Sequence, residues 1–531
     1  MTSTKWNSCK WNDKFLAFCR WALCWMCIVL FAGLSAINLF RTAQTDMDPD
    51  IFWNEFVIYG KDSLLGFILA AILMGLLFAF LYRLTAKMSA NRLSTILTLL
   101  IFALGVFWVA TVQLGPRADQ QSVHTAAMHW LEHDFSDFDR GNYLFRFPYQ
   151  MPYVAFLALF YRIVGSGNYE AVQVLNAALI ALTYWGISKI SQILFGEQSE
   201  RRVILFSLGF WCGWMLSVFV YGNIPSFALA VLALWLQLQW QLCHKRWTYL
   251  AASGIVMGLS ILLKSFSVIF FIAQSILLVL HFLRSFRWQV FIWMLCAVLC
   301  WQGGALGIHA WAEHQYGAPL NDGAPLQASI TMGLQENPEG WRAPGWYNGY
   351  HYYLYEDMGY DRQRTLERSH EDLNNRLTEF KEDPAKMAYF FYKKTCSQWA
   401  DPSAQSLWIS AKGTPDKHGP LAQFLLWGKG YPAIFGWMNV YQSLLWLSGT
   451  AYLFVKRKQL TLEQLLPGLI VLGGFLFQLF WEGKSQYLLP YYMMSLPYAA
   501  LGFYAVVQKI QKGIAGKLRR QAAPQEMIET I

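Results

Sequence analysis

A cluster of polar residues at 115–150 interrupts the otherwise apolar first half of the chain, and it contains carboxylates, histidines, arginines and tyrosines. Its first acid, Asp119, lies five residues beyond the apolar run that ends at Leu114. A carboxylate held at the end of a hydrophobic helix can take a proton from a hydroxyl group, and such a general base contributes about 10²- to 10⁴-fold to a rate. We interpret this stretch as an active-site loop with Asp119 as the candidate base.

Two alternatives apply to the polar side chains of this loop. Asp119 could be the N-cap of an interfacial helix that starts near Gln120, because a carboxylate is a favoured capping group. Asp134 is a second candidate that could bind a substrate or assist the base, although a run of charge beside a membrane is usually a solvated face. His129 and His133 are four residues apart, so one helix face could hold them with an acid as metal ligands.

The composition indicates what must position this loop. Of the 531 residues, 55% are hydrophobic and only 14% are charged, whereas about a quarter of the residues in a soluble domain are charged. Apolar segments of roughly 20 residues recur, each long enough to cross a ~30 Å hydrocarbon core as a helix. The predicted fold class is an all-α polytopic membrane protein, embedded in a lipid bilayer.

The net charge of +9 comes from short basic clusters between apolar runs, which is the pattern that orients membrane helices and not one that binds nucleic acid. Basic residues precede the apolar run 15–40, which has no small-residue cleavage site, so we expect a retained first helix. The tail from Lys509 is also basic. Both termini are therefore predicted to be cytoplasmic.

The apolar piece 151–165 decides the topology, because about 15 residues are short for a spanning helix. If it crossed, three basic clusters near Arg201, Lys245 and Arg284 would face outward, against the positive-inside rule. We therefore expect an interfacial or re-entrant element there. About twelve crossings follow, with core helices near 170–196, 203–221, 223–243, 247–263, 265–284 and 288–311.

Six regions result from this topology. They are N-terminal transmembrane helices in 1–114, an external catalytic loop with an interfacial helix in 115–165, a transmembrane core in 166–311, an external loop domain in 312–430, C-terminal transmembrane helices in 431–508 and a cytoplasmic basic tail in 509–531. The external loop domain contains a Gly-rich aromatic stretch, with Trp346, Tyr347, Asn348 and Tyr350. Such residues suit stacking on sugar rings, and the alternative is that they anchor the membrane interface.

Several short motifs and this architecture together resemble the GT-C class of integral-membrane glycosyltransferases, which contains protein O-mannosyltransferases and the aminoarabinose transferase of lipid A. Within that class the sequence is most similar to bacterial surface-polysaccharide glycosyltransferases. The motifs are PRADQ at 116–120, YLFRFPYQ at 143–150, YGNIPS at 221–226, the Lys264-Ser265 junction, MGLQE with GWYNGY across 332–350, QWADPS at 398–403 and EGKSQY at 482–487.

This resemblance implies an inverting transfer of a sugar from a polyprenyl-phosphate donor to a cell-surface glycan, lipid or protein. The acid of the first large external loop acts as the base in these families, and Asp119 is the matching residue. The lipid phosphate is already a competent leaving group, so neither a metal ion nor another cofactor is expected. The active site would face the outside of a cell membrane, such as a bacterial plasma membrane.

A lipid phosphate needs cations at the membrane surface, and the candidates are Arg117, Arg146, Lys264 and Lys484, each at the end of an apolar stretch. A cation at the centre of a membrane helix costs roughly 2.5 to 3.5 kcal/mol, so Lys264, retained between two helices, is a functional candidate. For the others, snorkelling to the interface is the alternative. Arg146 is preferred to Arg117, because it lies in the segment where the resembled families place donor-contacting residues.

Further substrate contacts are predicted at external helix ends. These candidates are Tyr143, Tyr149, Tyr221, Asn223, Glu482 and Tyr487. Relatives often carry an acid where this chain has Asn223 and an arginine where it has Gln486, so the roles of those two motifs are expected to differ here. Glu482 could instead form a structural ion pair with Lys484 or Arg146.

Two other classes of function share this layout. Twelve or so helices with cytoplasmic termini also suit a transporter or flippase for lipid-linked sugars, although transporters concentrate polar groups near the midplane in repeated halves. Here the polar clusters gather at external helix ends. An oligosaccharide ligase or polymerase has the same topology and would transfer a whole glycan.

Overall fold

The computed structural model describes residues 3–48, 50, 55–337, 342–411 and 415–522 of the chain. The described residues are overwhelmingly helical, as the apolar runs predict. Strand structure among them is confined to one antiparallel hairpin, in which β1 (Arg41–Thr45) pairs with β2 (Val57–Lys61). The hairpin lies between helix α1 (Ser3–Phe40) and helix α2 (Leu64–Leu84).

The helices follow the predicted segments closely in most of the chain. After α2 come α3 (Ala90–Val112), α4 (Ala118–Leu131), α5 (Tyr143–Arg146), α6 (Met151–Val164), α7 (Tyr169–Phe195), α8 (Glu197–Ser207), α9 (Trp211–Met215), α10 (Asn223–Leu238), α11 (Trp247–Leu263), α12 (Val268–Ser285), α13 (Val290–Val298) and α14 (Gly304–Tyr316). A π-helical turn at Leu299–Gly303 joins α13 to α14.

The polar segment that follows α14 is also helical. It contains α15 (Leu326–Gly333), α16 (Tyr350–Asp357), α17 (Arg362–Glu382), α18 (Pro384–Trp399), α19 (Ser406–Ser410) and α20 (Pro420–Leu426), and the chain then ends with α21 (Tyr431–Lys456), α22 (Leu466–Phe480) and α23 (Leu489–Ala522). Asp361 caps α17 by accepting hydrogen bonds from two backbone N–H groups of its first turn.

Eight helical spans in the described part of the chain are long and apolar enough to cross a membrane, and α11 is apolar but shorter. The protein is therefore membrane-embedded and built from helices. Helix α6 has 14 residues, which corresponds to about 21 Å and falls short of a ~30 Å hydrocarbon core.

The predicted single helix at 203–221 is wrong, because the chain breaks there into α8, α9 and a short 3₁₀ turn. Two glycines allow the break: a side chain at Gly209 would lie 2.5 Å from the ring of Tyr441, and one at Gly213 would lie 2.1 Å from the hydroxyl of Tyr184. Tyr184 donates a hydrogen bond to the Phe210 carbonyl at 2.7 Å. Side chains of neighbouring helices thus satisfy the backbone groups that the broken helix frees.

The polar segments 115–150 and 312–430 lie at the same end of the molecule. Asn321 donates a hydrogen bond to the Phe145 carbonyl at 3.0 Å, and Arg140 donates one to the Gly359 carbonyl at 3.0 Å. This contact agrees with a short α6 that does not reverse the helices after it.

The basic turns meet at the other end. There Arg20 donates to the Leu460 carbonyl at 3.3 Å. Asn12 also donates to the Leu283 carbonyl at 3.1 Å, which joins α1 to the end of α12. The Lys- and Arg-rich connections thus gather away from the loop at 115–150.

This arrangement predicts that Arg364 and Cys243 lie on opposite sides of a membrane. The side chain of Arg364 is 73% exposed on α17, and Cys243 is exposed beyond α10. Two proteins are compared: the native chain, which has Cys243, and the variant Arg364→Cys/Cys243→Ser, which has a cysteine at position 364 instead. In intact cells, an impermeant maleimide should label one of these two proteins and not the other. Both should react after permeabilisation. Equal labelling of the two in intact cells would contradict the arrangement.

Candidate active site

The backbone places Asp119 in the first turn of α4, as its second residue. Ala118 before it has a φ of 47°, in the left-handed region that side chains rarely adopt and that often marks a functional turn. The N-cap position of α4 is Arg117, so Asp119 is not the helix cap. The helix N-terminus still favours a negative charge at Asp119.

The Asp119 side chain is exposed beside a group of charged residues and tyrosines, and the exposed space among these side chains is called the cavity. Within the described residues, Asp119 makes no hydrogen bond or close ion pair. Burial by neighbouring groups raises the pKa of Asp119, while Lys484 and Lys264 oppose that rise and Glu55 adds to it. An accessible carboxylate with a raised pKa and no hydrogen-bonded partner has the properties of a general base.

Lys264 supplies a cation to the same cavity from the break between α11 and α12. Its Nζ lies 4.0 Å from the ring centre of Tyr221 and 5.9 Å from that of Tyr149. Burial lowers the pKa of Lys264 to about 8, and the charges of Asp119 and Glu482 counteract that effect. No carboxylate in the described structure lies within ion-pair distance of Lys264, so its charge remains available to a ligand.

The YGNIPS motif builds the support for this lysine. A side chain at Gly222 would lie 2.5 Å from the carbonyl oxygen of Leu263, so only glycine lets the start of α10 approach the end of α11 this closely. The Ser226 hydroxyl donates to the Ser260 carbonyl at 2.8 Å and lies 2.7 Å from the hydroxyl of Ser267. These contacts fix the ring of Tyr221 beneath Lys264. Asn223 begins α10, and its Oδ1 is buried without a hydrogen-bond partner among the described residues.

The EGKSQY motif forms the opposite wall. Lys484 Nζ lies 2.6 Å from a carboxylate oxygen of Glu55, so the alternative interpretation of Glu482, a structural ion pair with Lys484, does not match the structure. The Tyr487 hydroxyl donates to Glu482 at 3.1 Å instead. Burial raises the pKa of Glu482, while Lys484 opposes the rise.

Glu55 was not identified as a site residue from the sequence. It lies in the acidic connection between β1 and β2, and its φ of 49° is again left-handed. The acidic character of that connection is the available sequence signal. The sequence does not reveal the partner, because Lys484 is 429 residues away along the chain.

Five tyrosines surround the carboxylates of this cavity. Burial is the main cause of the raised pKa of each tyrosine, and the charge of Asp119 raises each pKa further. The five tyrosines are Tyr143, Tyr149, Tyr221, Tyr347 and Tyr487. Their hydroxyls are therefore protonated hydrogen-bond donors. The buried amide of Gln150 donates to the Tyr221 hydroxyl. The side chain of Tyr149 is 62% exposed, which makes it an accessible aromatic surface within the cavity.

A buried lysine, Lys394 on α18, joins the motifs that form this wall. Its Nζ donates to the carbonyls of Gly333, Leu479 and Trp481, the last at 2.7 Å. Beside it, the Gly483 N–H donates to the Gly345 carbonyl at 2.8 Å. Because these bonds tie the chain just before Tyr347 to the chain around Glu482, Lys394 positions the wall without reaching the cavity.

Two of the predicted phosphate-binding arginines serve other contacts. Arg146 lies over the ring of Tyr352, 4.2 Å from its centre, and is not among the charges that act on Asp119. Arg117 donates to the Ala411 carbonyl at 2.8 Å and lies 4.6 Å from the ring centre of Trp408. Both arginines therefore connect the loop at 115–150 to the segment 312–430.

Asp134 is also separate from the cavity. It accepts a hydrogen bond from the Ser136 N–H at 2.9 Å, and this bond lowers the pKa of the exposed Asp134 carboxyl. His129 pairs with Asp137 at 2.9 Å and not with His133. Within the described ranges, no group of three or more His, Cys, Asp or Glu side chains could hold a metal ion.

Three aromatic-loop candidates have structural partners. Trp346 is buried and donates to the Ser397 hydroxyl at 2.8 Å, so it neither stacks on a ligand nor anchors an interface. The Asn348 amide donates to Gln335 at 3.1 Å, and the Tyr350 hydroxyl donates to Asp372 at 2.6 Å. Of that stretch, Tyr347 alone lies close to Asp119 and Glu482.

Comparison of the chain with protein-family models, curated proteins and solved structures found no match. The functional assignment therefore rests on the residues and their geometry.

The contacts of Lys394 predict a large loss of stability in Lys394→Met. Removal of the ammonium leaves three backbone carbonyls buried without a donor, at a cost of about 3 kcal/mol. Thermal unfolding in detergent should show a fall in Tm on the order of 5 °C. Lys393→Met is the matched control, because among the described residues Lys393 Nζ lies over aromatic rings and makes no hydrogen bond to a carbonyl; it is 3.5 Å from the ring centre of Tyr59 and 6.0 Å from that of Tyr389. Equal Tm values for the two variants would show that Lys394 does not hold the wall together.

Proposed function

We propose that this chain is an inverting glycosyltransferase that moves a sugar from a polyprenyl-phosphate donor to an acceptor hydroxyl on a cell-surface glycan, lipid or protein. About twelve membrane crossings with cytoplasmic termini would place the cavity on the external face of the cell membrane. The observation that supports this proposal is that Lys264 and Lys484 both lie close enough to Asp119 to act on its charge. A base and a phosphate-binding cation are the two groups that such a reaction requires.

The chemical step needs one proton acceptor. The acceptor hydroxyl attacks the anomeric carbon from the face opposite the phosphate, the bond from carbon to phosphate oxygen breaks, and the polyprenyl phosphate leaves with the electron pair. Asp119 takes the proton of the attacking hydroxyl. Burial raises the pKa of Asp119, which makes its carboxylate a stronger base, while Lys484 and Lys264 favour its ionised form.

The donor phosphate is assigned to Lys264 in preference to the other cations. Lys484 is already paired with Glu55 at 2.6 Å, and Arg146 is stacked on Tyr352. Among the described residues, the ammonium group of Lys264 makes no hydrogen bond or ion pair and lies over the rings of Tyr221 and Tyr149. The protonated hydroxyls of Tyr221 and Tyr149 complete a set of donors for phosphate or sugar oxygens.

Asp119→Asn should abolish most turnover while leaving donor binding intact. The amide is nearly isosteric but cannot accept the hydroxyl proton, so kcat should fall by roughly 10²- to 10⁴-fold. The assay is sugar transfer from a supplied polyprenyl-phosphate-linked sugar, with the donor retained by the purified protein measured by mass spectrometry. Asp134→Asn is the control and should keep near-normal activity, because Asp134 lies outside the cavity. An Asp119→Asn protein with most of its activity would show that another group is the base.

The lowered pKa of Lys264 predicts that the protein captures the donor less efficiently at alkaline pH. The charge of Lys264 is present below its pKa of about 8 and is lost above it, so kcat/KM for the donor should fall as the pH rises through about 8. Lys264→Arg should move this fall to higher pH, because the guanidinium stays charged. Lys264→Met should raise KM at pH 7, whereas Arg146→Met should leave the pH profile unchanged. If the fall of kcat/KM stayed at the same pH in Lys264→Arg, the group that loses its proton would not be Lys264.

A further inference from the structure

A second polar cavity lies at the opposite end of the molecule from Asp119. It has a volume of about 370 Å³ and opens between α1, the end of α12 and the turn that joins α21 to α22. Three cations line it, Arg20, Arg284 and Lys458, together with two carboxylates, Asp13 and Glu463. The lining thus carries one positive charge more than negative charges.

The cations of this second cavity are not neutralised by the acids beside them. Among the described residues, neither Arg284 nor Lys458 has a carboxylate within ion-pair distance. Arg20 uses only its Nη1, which donates to the carbonyls of Arg457 and Leu460 at 3.3 Å each. In the described part of the chain, its Nε and Nη2 have no hydrogen-bond partner. Unneutralised cations that converge on one concave site from three separate elements form a receptor for an anion.

Besides the polar side chains of His281, Gln459 and Thr461, the remaining lining consists of leucines and an alanine, and these apolar side chains indicate what carries the anion. Leucines from all three elements line the same cavity, including Leu16, Leu277 and Leu460. A free inorganic ion would gain nothing from these side chains, whereas the acyl chains of an amphiphile would bury apolar surface against them. The Nε2 of His281 is buried there without a hydrogen-bond partner, and it can serve an oxygen ligand.

We propose that this cavity binds the phosphate group of an anionic phospholipid. The single negative charge of a phosphodiester matches the single excess positive charge of the lining. Basic pockets between membrane helices are suited to anionic headgroups, particularly at the end where the basic turns collect. The headgroup would then join α1 to α12 and to the turn between α21 and α22, without contact to the catalytic cavity.

The test measures lipid-dependent thermal stabilisation of the full-length protein in an uncharged detergent. Dihexanoyl phosphatidylglycerol should raise Tm in a saturable way, and dihexanoyl phosphatidylcholine should raise it much less. In Arg284→Gln/Lys458→Gln, the apparent Kd for phosphatidylglycerol should weaken by roughly 10- to 30-fold. Inorganic phosphate is titrated in parallel, to separate a lipid from a soluble phosphate source.

The matched control is Lys87→Gln/Arg92→Gln, which removes one lysine and one arginine outside the cavity, as the test variant does inside it. Lys87 and Arg92 are both exposed, and neither lines the cavity. The control should bind phosphatidylglycerol as the native protein does. Equal weakening in both double variants would overturn the proposal in favour of general surface attraction.

Two further outcomes would also count against lipid binding in this cavity. Native protein that binds phosphatidylglycerol no better than phosphatidylcholine would overturn the proposal, whether or not the glutamine variant folds. A full Tm shift with inorganic phosphate alone, lost in Arg284→Gln/Lys458→Gln, would support the phosphate chemistry and overturn the lipid as its source. The exchange variant Arg284→Lys/Lys458→Arg keeps both charges, and it should retain the preference for phosphatidylglycerol.

Discussion

The electrostatic interaction between Asp119 and Lys264 is the interaction on which the proposed chemistry depends. Each charge is costly in a site surrounded by protein, and each partly offsets the cost of the other. They are not joined as an ion pair, so both remain free for a ligand. A direct salt bridge would have neutralised both charges and left neither the base nor the cation available to a ligand.

Tight backbone contacts keep these groups apart and in place. Gly222 lets α10 approach the end of α11, and Lys394 ties the chain before Tyr347 to the chain at Glu482. Gly222 and Lys394 lie outside the cavity, and each holds in place residues that line it. The backbone groups exposed by these breaks are paired with side chains, which is the condition for irregular structure in an apolar region.

Much of the site was predictable, because its residues lie at the ends of apolar runs. Asp119, Lys264 and Glu482 were identified from that pattern and from the resemblance. The pairing of Glu55 with Lys484 was not, since no local pattern records a contact between residues so far apart in the chain. The helix break after α8 was missed for a related reason: the side chains that satisfy its backbone, such as Tyr184 and Trp437, lie on other helices.

The charge balance of the cavity places a further requirement on a phosphate donor. Asp119, Glu482 and Glu55 are accompanied by Lys264, Lys484 and Arg117, the last of which acts on Glu55. Lys394 also acts on Glu482, but burial lowers the pKa of Lys394 to about 7, so at neutral pH it adds only part of a positive charge. An added phosphate would therefore meet a site with little excess positive charge. Burial already raises the pKa of Glu482, and a phosphate nearby would raise it further. Proton uptake by Glu482 would restore the balance and leave Asp119 ionised for its role as the base.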